Sequence, residues 1–185
     1  MGKRESLRDL HTRLAERLSL LRSSDAGQAW LAVTAGTGNY LLSLRQSGEV
    51  LPAARAYTVP RTASWFIGVL NVRGSLFGAV NLGQFIEQSL HPRAESRPQS
   101  QQDGYDVEHG RFVTLNPLLD VNCALHVSDL VGLRATENFE SSIPRLPHAP
   151  AFFGPQFLDQ QGKLWQELDL QVLVQMPDFI NISAS

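Results

Sequence analysis

Few side chains in this sequence stand where chemistry could be done with them. Cys123 and His126 lie three apart, and four more histidines are scattered at His11, His91, His109 and His148. The stretch V-N-C-A-L-H-V (121–127) reads as a strand, however, and a strand turns residues i and i+3 to opposite faces. A structural zinc takes four ligands, and no second ligand pair accompanies the first. Cys123 therefore reads as a small core residue and His126 as a strand-surface residue. Gly36-Thr37-Gly38 opens like a phosphate-cradling G-x-G, but Leu41 stands where a dinucleotide fingerprint needs glycine. Neither G-x-x-x-x-G-K-[ST] nor G-x-S-x-G occurs. No Ser/His/Asp order or paired carboxylate motif stands out, so the expectation is a protein that is not an enzyme, with no cofactor and no metal.

One charged residue does sit oddly. The stretch F-I-G-V-L-N-V-R-G-S-L-F-G-A-V-N-L-G-Q-F-I (66–86) is the most apolar region of the chain, and Arg73 interrupts it. A guanidinium there must reach water, pair with an acid, or wait for a partner. Asn71 and Gly74 on either side suit a turn, with glycine supplying a left-handed conformation.

These residues must be positioned by the elements around them. The 185-residue chain is long enough for one domain, or two small ones, with a real core. A net charge of −2 and a pI of about 6.2 leave no basic excess for phosphate backbones. No strand interleaves aromatic and basic residues, which disfavours a small β-barrel that binds nucleic acid. Cys123 is the single cysteine, so no internal disulfide can form. No apolar run approaches the roughly 20 residues of a membrane helix. M-G-K-R-E-S-L-R-D-L-H-T-R-L lacks the apolar core of a secretory signal. A soluble cytoplasmic protein is expected, without membrane insertion.

Leu7, Leu10, Leu14, Leu18 and Leu21 recur every three or four residues, which predicts an amphipathic N-terminal helix over 1–24. It could dock on its own domain or meet a partner. Beyond Gly27 the period changes. Residues 29–35 and 39–45 read as strands joined at Gly36-Thr37-Gly38. Short extended pieces follow, broken by Pro52 and Pro60, and then a hairpin through Asn71–Gly74. A short helix is expected over 83–90 and an exposed, mobile loop over about 91–104. Strands resume at 111–116, 121–127 and 129–135. Residues 137–150, with three prolines, read as irregular. A last hairpin turns around Gln160-Gln161-Gly162, and a C-terminal helix is expected to stop at Pro177. About ten short strands with regular turn signals predict an all-β barrel or sandwich.

The ordered motifs then resemble one family. N-Y-L-L-S-L followed by G-E-V-L (39–51), V-P-R-T-A-S-W-F-I-G-V-L-N-V-R-G (59–74), A-L-H-V-S-D-L-V-G-L-R (124–134) and F-F-G…G-K-L-W-Q-E-L-D-L (152–170) are similar, in that order, to the CheW family of chemotaxis coupling proteins. The resemblance covers about residues 29–176 and implies two five-stranded SH3-like β-barrels sharing a core, here residues 25–182. It also implies a non-enzymatic adaptor between the cytoplasmic tip of a chemoreceptor and the regulatory domain of a CheA-type histidine kinase. Further CheW paralogues are implied as array partners, and any membrane association would run through receptor arrays. Glu49 and Arg73 match the family positions that carry receptor coupling and are expected to pair at the receptor groove, for coupling or only to brace the barrel; Asn71 and Gly74 complete the N-x-R-G motif. Ile67, Leu70, Val72 and Leu76, near the turn, are candidate apolar contacts. The chain departs from the family at Ala63, Gly78 and Asn81, where proline, proline and aspartate are usual. The N-terminal helix, the long polar loop, Phe179 with Ile182, and Trp165 resemble the PilI-type members of type IV pilus systems in twitching motility. A flagellar array is the alternative wiring.

Overall fold

The computed structural model describes residues 28–91, 105–106 and 109–183. The helix expected over 1–24 and nearly all of the loop expected over 91–104 lie outside the described residues. The strands are β1 (Ala29–Ala35), β2 (Gly38–Ser43), β3 (Ser47–Pro52), β4 (Arg55–Ala56), β5 (Phe66–Val72), β6 (Ser75–Asn81), β7 (Tyr105–Asp106), β8 (Arg111–Leu115), β9 (Cys123–Val127), β10 (Asp129–Ala135), β11 (Phe139–Ile143), β12 (Phe153–Asp159) and β13 (Leu164–Leu168). Among the described residues three α-helices join them: α1 (Leu82–Leu90), α2 (Leu170–Leu173) and α3 (Pro177–Ile180).

Two sheets carry the fold, ordered β10-β1-β2-β13-β12-β11 and β3-β8-β9-β6-β5, with a short β4-β7 ribbon beside them. The pairings are antiparallel except β13 with β2 and β6 with β9. Strand alternation explains how two sheets share one core. From β1, Leu31, Val33 and Ala35 face the large core between the sheets, whereas Trp30 and Ala32 face a separate aromatic cluster with Phe157 and Trp165. From β9, Cys123, Leu125 and Val127 enter the shared core, and Ala124 joins a third cluster with Ile67, Leu70 and Phe112. Strands buried on both faces read as near-continuous apolar runs, as A-W-L-A-V-T-A does.

The shared core is locked by rings. Trp65 stacks on Phe179 of α3 at 5.9 Å, and Phe85 of α1 meets both edge-on at 5.1 Å. Burying each ring stabilises the fold by about 1.5–3 kcal/mol. Asn81 caps α1, its Oδ1 accepting from the Gln84 N–H at 3.1 Å. A neutral amide serves that cap as well as an aspartate would.

The sheets are SH3-like, but neither closes through its ladder alone. The larger has six strands instead of the expected five, and among the described residues β10 and β11 do not pair. One of its faces is covered by Trp30, Phe139 and Phe157, whose ring centroids lie 4.9–5.8 Å apart. The smaller sheet curls until Tyr57, just beyond β4, bridges Val69 of β5 with N–H···O bonds of 2.9 and 2.8 Å. That approach needs Gly68: its φ is +141°, and a Cβ there would lie 2.1 Å from the Tyr57 carbonyl oxygen.

Two local expectations change. Residues 137–150 contain a strand, β11, whose outward Glu140, Ser141 and Ser142 leave no apolar alternation to read. Pro177 opens α3 instead of ending a helix, since its missing N–H is unused at a first helical position.

Candidate partner-coupling site

Arg73 stands at the tip of the β5–β6 hairpin. Val72 pairs with Ser75, so the loop is two residues, Arg73-Gly74, shorter than the four-residue interruption in the sequence suggests. Both have positive φ, +52° and +89°, the mark of a type I′ turn, whose twist matches the flanking strands. Asn, Asp or Gly is favoured at the first of these positions, and arginine is not. Asn71 closes the turn, its Oδ1 accepting from the Gly74 N–H at 2.8 Å.

The guanidinium is not buried. Arg73 donates from Nη1 to Glu49 Oε1 at 2.9 Å, with side-chain exposures of 78% and 50%. An ion pair this exposed is worth about 0.2–1 kcal/mol, too little to brace a barrel. Among the described residues the guanidinium spends one of its five donors. The pair also spans the sheet, since Glu49 lies on the edge strand β3 and Arg73 at the turn leading from the opposite edge strand, β5.

Glu49 is aimed by a β-bulge. Ser47 pairs with Leu115 and Val50 with Val113, leaving Gly48 and Glu49 opposite the single residue Thr114. The Thr114 hydroxyl accepts from the Glu49 N–H at 2.7 Å and donates to the Glu49 carbonyl at 3.3 Å. Sequence reasoning missed Thr114. Its one signal was a lone hydroxyl in the apolar run F-V-T-L.

The apolar candidates separate sharply. Ile67 and Leu70 are buried inside the smaller sheet and present no surface for contact. Simple alternation would place them on opposite faces. The register shift between Phe66 and Gly68 turns both inward. Val72 is half-buried against the same cluster, and Leu76 is 65% exposed beside the turn. Glu49, Arg73, Gly74 and Leu76 thus form an exposed group of two opposite charges, a fixed turn and one apolar side chain.

An open cleft of about 250 Å³ lies elsewhere, lined among others by Tyr40, Leu90, Phe153, Leu164 and Gln166, and by neither Glu49 nor Arg73. Among the described residues no group of three or more His, Cys, Asp or Glu could hold a metal ion. Cys123 lies in the shared core, whereas the half-buried His126 ring stands 5.3 Å from Phe112, and burial pushes the Cys123 thiol up to about 12, which leaves it unreactive. No helix among the described residues is long and apolar enough to cross a membrane.

Two sheets around a common core thus carry a charged hairpin tip at one edge. A model of the CheW-like domain matches residues 29–178, and the chain belongs to that family, the coupling-scaffold class of chemotaxis. It is 26% identical over 165 residues to Protein PilI of Pseudomonas aeruginosa, covering 86% of this chain and 83% of that one. The scaffolding protein TtCheW of Thermoanaerobacter tengcongensis has the same fold, with a TM-score of 0.62 at 16% identity over 84% of this chain and 93% of that one.

Proposed function

We propose that this chain is a non-enzymatic adaptor coupling a chemoreceptor to a CheA-type histidine kinase, in the chemosensory system that controls type IV pilus twitching motility. The observation that carries the reading is a CheW-like domain across 29–178 whose N-x-R-G arginine stands exposed and held against Glu49. The likeness to PilI over 86% of the chain supports the pilus wiring over a flagellar one. In this reading residues 25–182 are the coupling domain, and the kinase regulatory domain and the receptor tip are its partners. CheW paralogues share its arrays, and the protein stays cytoplasmic.

The geometry suits such a role. A cation carried on a rigid turn, its backbone held by the Asn71 bond to the Gly74 N–H, costs less to order when a partner arrives. Its remaining donors can take carboxylates or backbone carbonyls of a receptor helix. Leu76 beside it offers an apolar anchor within a polar surround.

Calorimetric titration against the regulatory domain of the pilus-system kinase, with the flagellar kinase domain as control, tests the assignment. Selective micromolar or tighter binding to the pilus kinase is the expected result. Binding to the flagellar domain alone would keep the adaptor and discard the pilus wiring. No binding to either domain by folded protein would overturn the proposal.

A further inference from the structure

We infer that Thr114 is a positioning residue of the coupling site: its buried hydroxyl holds the Glu49 backbone in the bulge that directs Glu49 onto Arg73. The biological meaning rests on the coupling role proposed for Glu49 and Arg73, while the positioning itself is a property of the free protein.

Thr114 is 5% exposed and sits between Val113 and Leu115, in a strand whose other buried members are apolar. A hydroxyl there is out of keeping with packing alone, because an unpaired buried hydroxyl is costly. It is not unpaired. A bulge leaves a residue without its ladder partners, and the Thr114 hydroxyl, one donor and two acceptor sites, serves both the N–H and the carbonyl of Glu49. The bulge fits this hydroxyl closely: a Cβ on Gly48 would lie 2.3 Å from Thr114 Oγ1 and 2.8 Å from the Leu115 carbonyl oxygen. The Glu49 carboxylate in turn meets Arg73 Nη1 at 2.9 Å. One buried hydroxyl is thereby linked through a bulge and a carboxylate to the exposed guanidinium at the turn.

Thr114→Val keeps the shape and removes both bonds, and Thr114→Ser keeps both. In full-chain protein without partner, Thr114→Val is expected to exchange the Glu49 amide about fivefold faster, as for the loss of one net hydrogen bond. Its Arg73 guanidinium proton signals should move toward those of free arginine, and Thr114→Ser should resemble the parent. Should the valine variant fail to fold, Thr114→Ala also removes both bonds without added bulk and predicts the same Arg73 change.

With a chemoreceptor tip fragment, Thr114→Val should weaken binding by about threefold to tenfold, the range of one modest hydrogen bond. Adding it to Glu49→Gln should weaken binding no further. Unchanged exchange and guanidinium signals would overturn the inference. So would receptor binding that survives Thr114→Val but not Glu49→Gln, or losses that add in the double variant. If Glu49→Gln and Arg73→Asn both leave receptor binding intact, the coupling role fails, and the partner-free signals still decide whether Thr114 positions Glu49.

Discussion

Replacing Arg73 by asparagine should separate stability from function. Two effects oppose one another in the fold. Losing the pair with Glu49 removes about 0.2–1 kcal/mol, the range for ion pairs as exposed as this one. Holding a non-glycine residue at φ +52° costs about 1–2 kcal/mol, and asparagine tolerates that conformation better than arginine. Asn-Gly is also a preferred pair for a two-residue type I′ loop. The net change in stability should therefore fall between zero and about 1 kcal/mol of gain. For a domain of this size that is a rise in Tm of no more than about 4 °C. Binding should move the other way. A charge-assisted hydrogen bond contributes about 1.5–3 kcal/mol, so affinity for the receptor tip should fall roughly tenfold to a hundredfold. Scanning calorimetry of the free protein and titration with the tip fragment read the two effects separately. A fall in Tm of about 10 °C or more would show that the pair braces the barrel and refute the reasoning from exposure. Unchanged receptor affinity would refute the coupling role of Arg73.

Phe179→Ala should destabilise the domain by about 3–5 kcal/mol, because it removes the ring between Trp65 and Phe85 and leaves a cavity; urea unfolding followed by tryptophan fluorescence would measure it, and a loss under 1 kcal/mol would show that α3 is not part of the core. Gly68→Ala should largely abolish soluble folded protein, since the new methyl meets the Tyr57 carbonyl at 2.1 Å; a normal circular dichroism melt would show that the Tyr57–Val69 bridge is dispensable. Asp159 is held below its ordinary 3.8, first by the Trp165 indole N–H and then by the Lys163 backbone N–H, against the opposing effect of burial. The unfolded chain thus takes up this proton at a higher pH than the native one, so its stabilisation is complete above about pH 4–5 and lost as pH falls through the lower native value. Asp159→Asn should accordingly lie below the parent in stability at pH 7 and draw closer to it as pH falls below about 4; parallel curves across that fall would show that the carboxylate charge is not what holds Trp165.

Much of this fold was legible in the chain because its signals are local. The apolar runs in 29–35 and 39–45, the turn residues Gly36, Gly74 and Gly162, and the apolar spacing of Leu82, Phe85 and Ile86 each act within a few residues. β11 was illegible for the converse reason. An edge strand with Glu140, Ser141 and Ser142 turned outward owes its pairing to β12, and nothing inside its own five residues demands it.

The sequence by itself determined most of the strand succession, the presence of a hairpin carrying Arg73 and the ordered motifs of the family. The tertiary structure alone decided which apolar residues are wet, turning Ile67 and Leu70 inward through the shift at Gly68 and leaving Leu76 outside. It alone showed that the expected Glu49–Arg73 pair, 24 positions apart, lies exposed, and it alone set Thr114 beneath Glu49, 65 positions away. The physical reason is that alternation defines two faces of a strand relative to each other. Which face meets water, and which distant side chains converge, follow from bulges, register and the curl of a whole sheet.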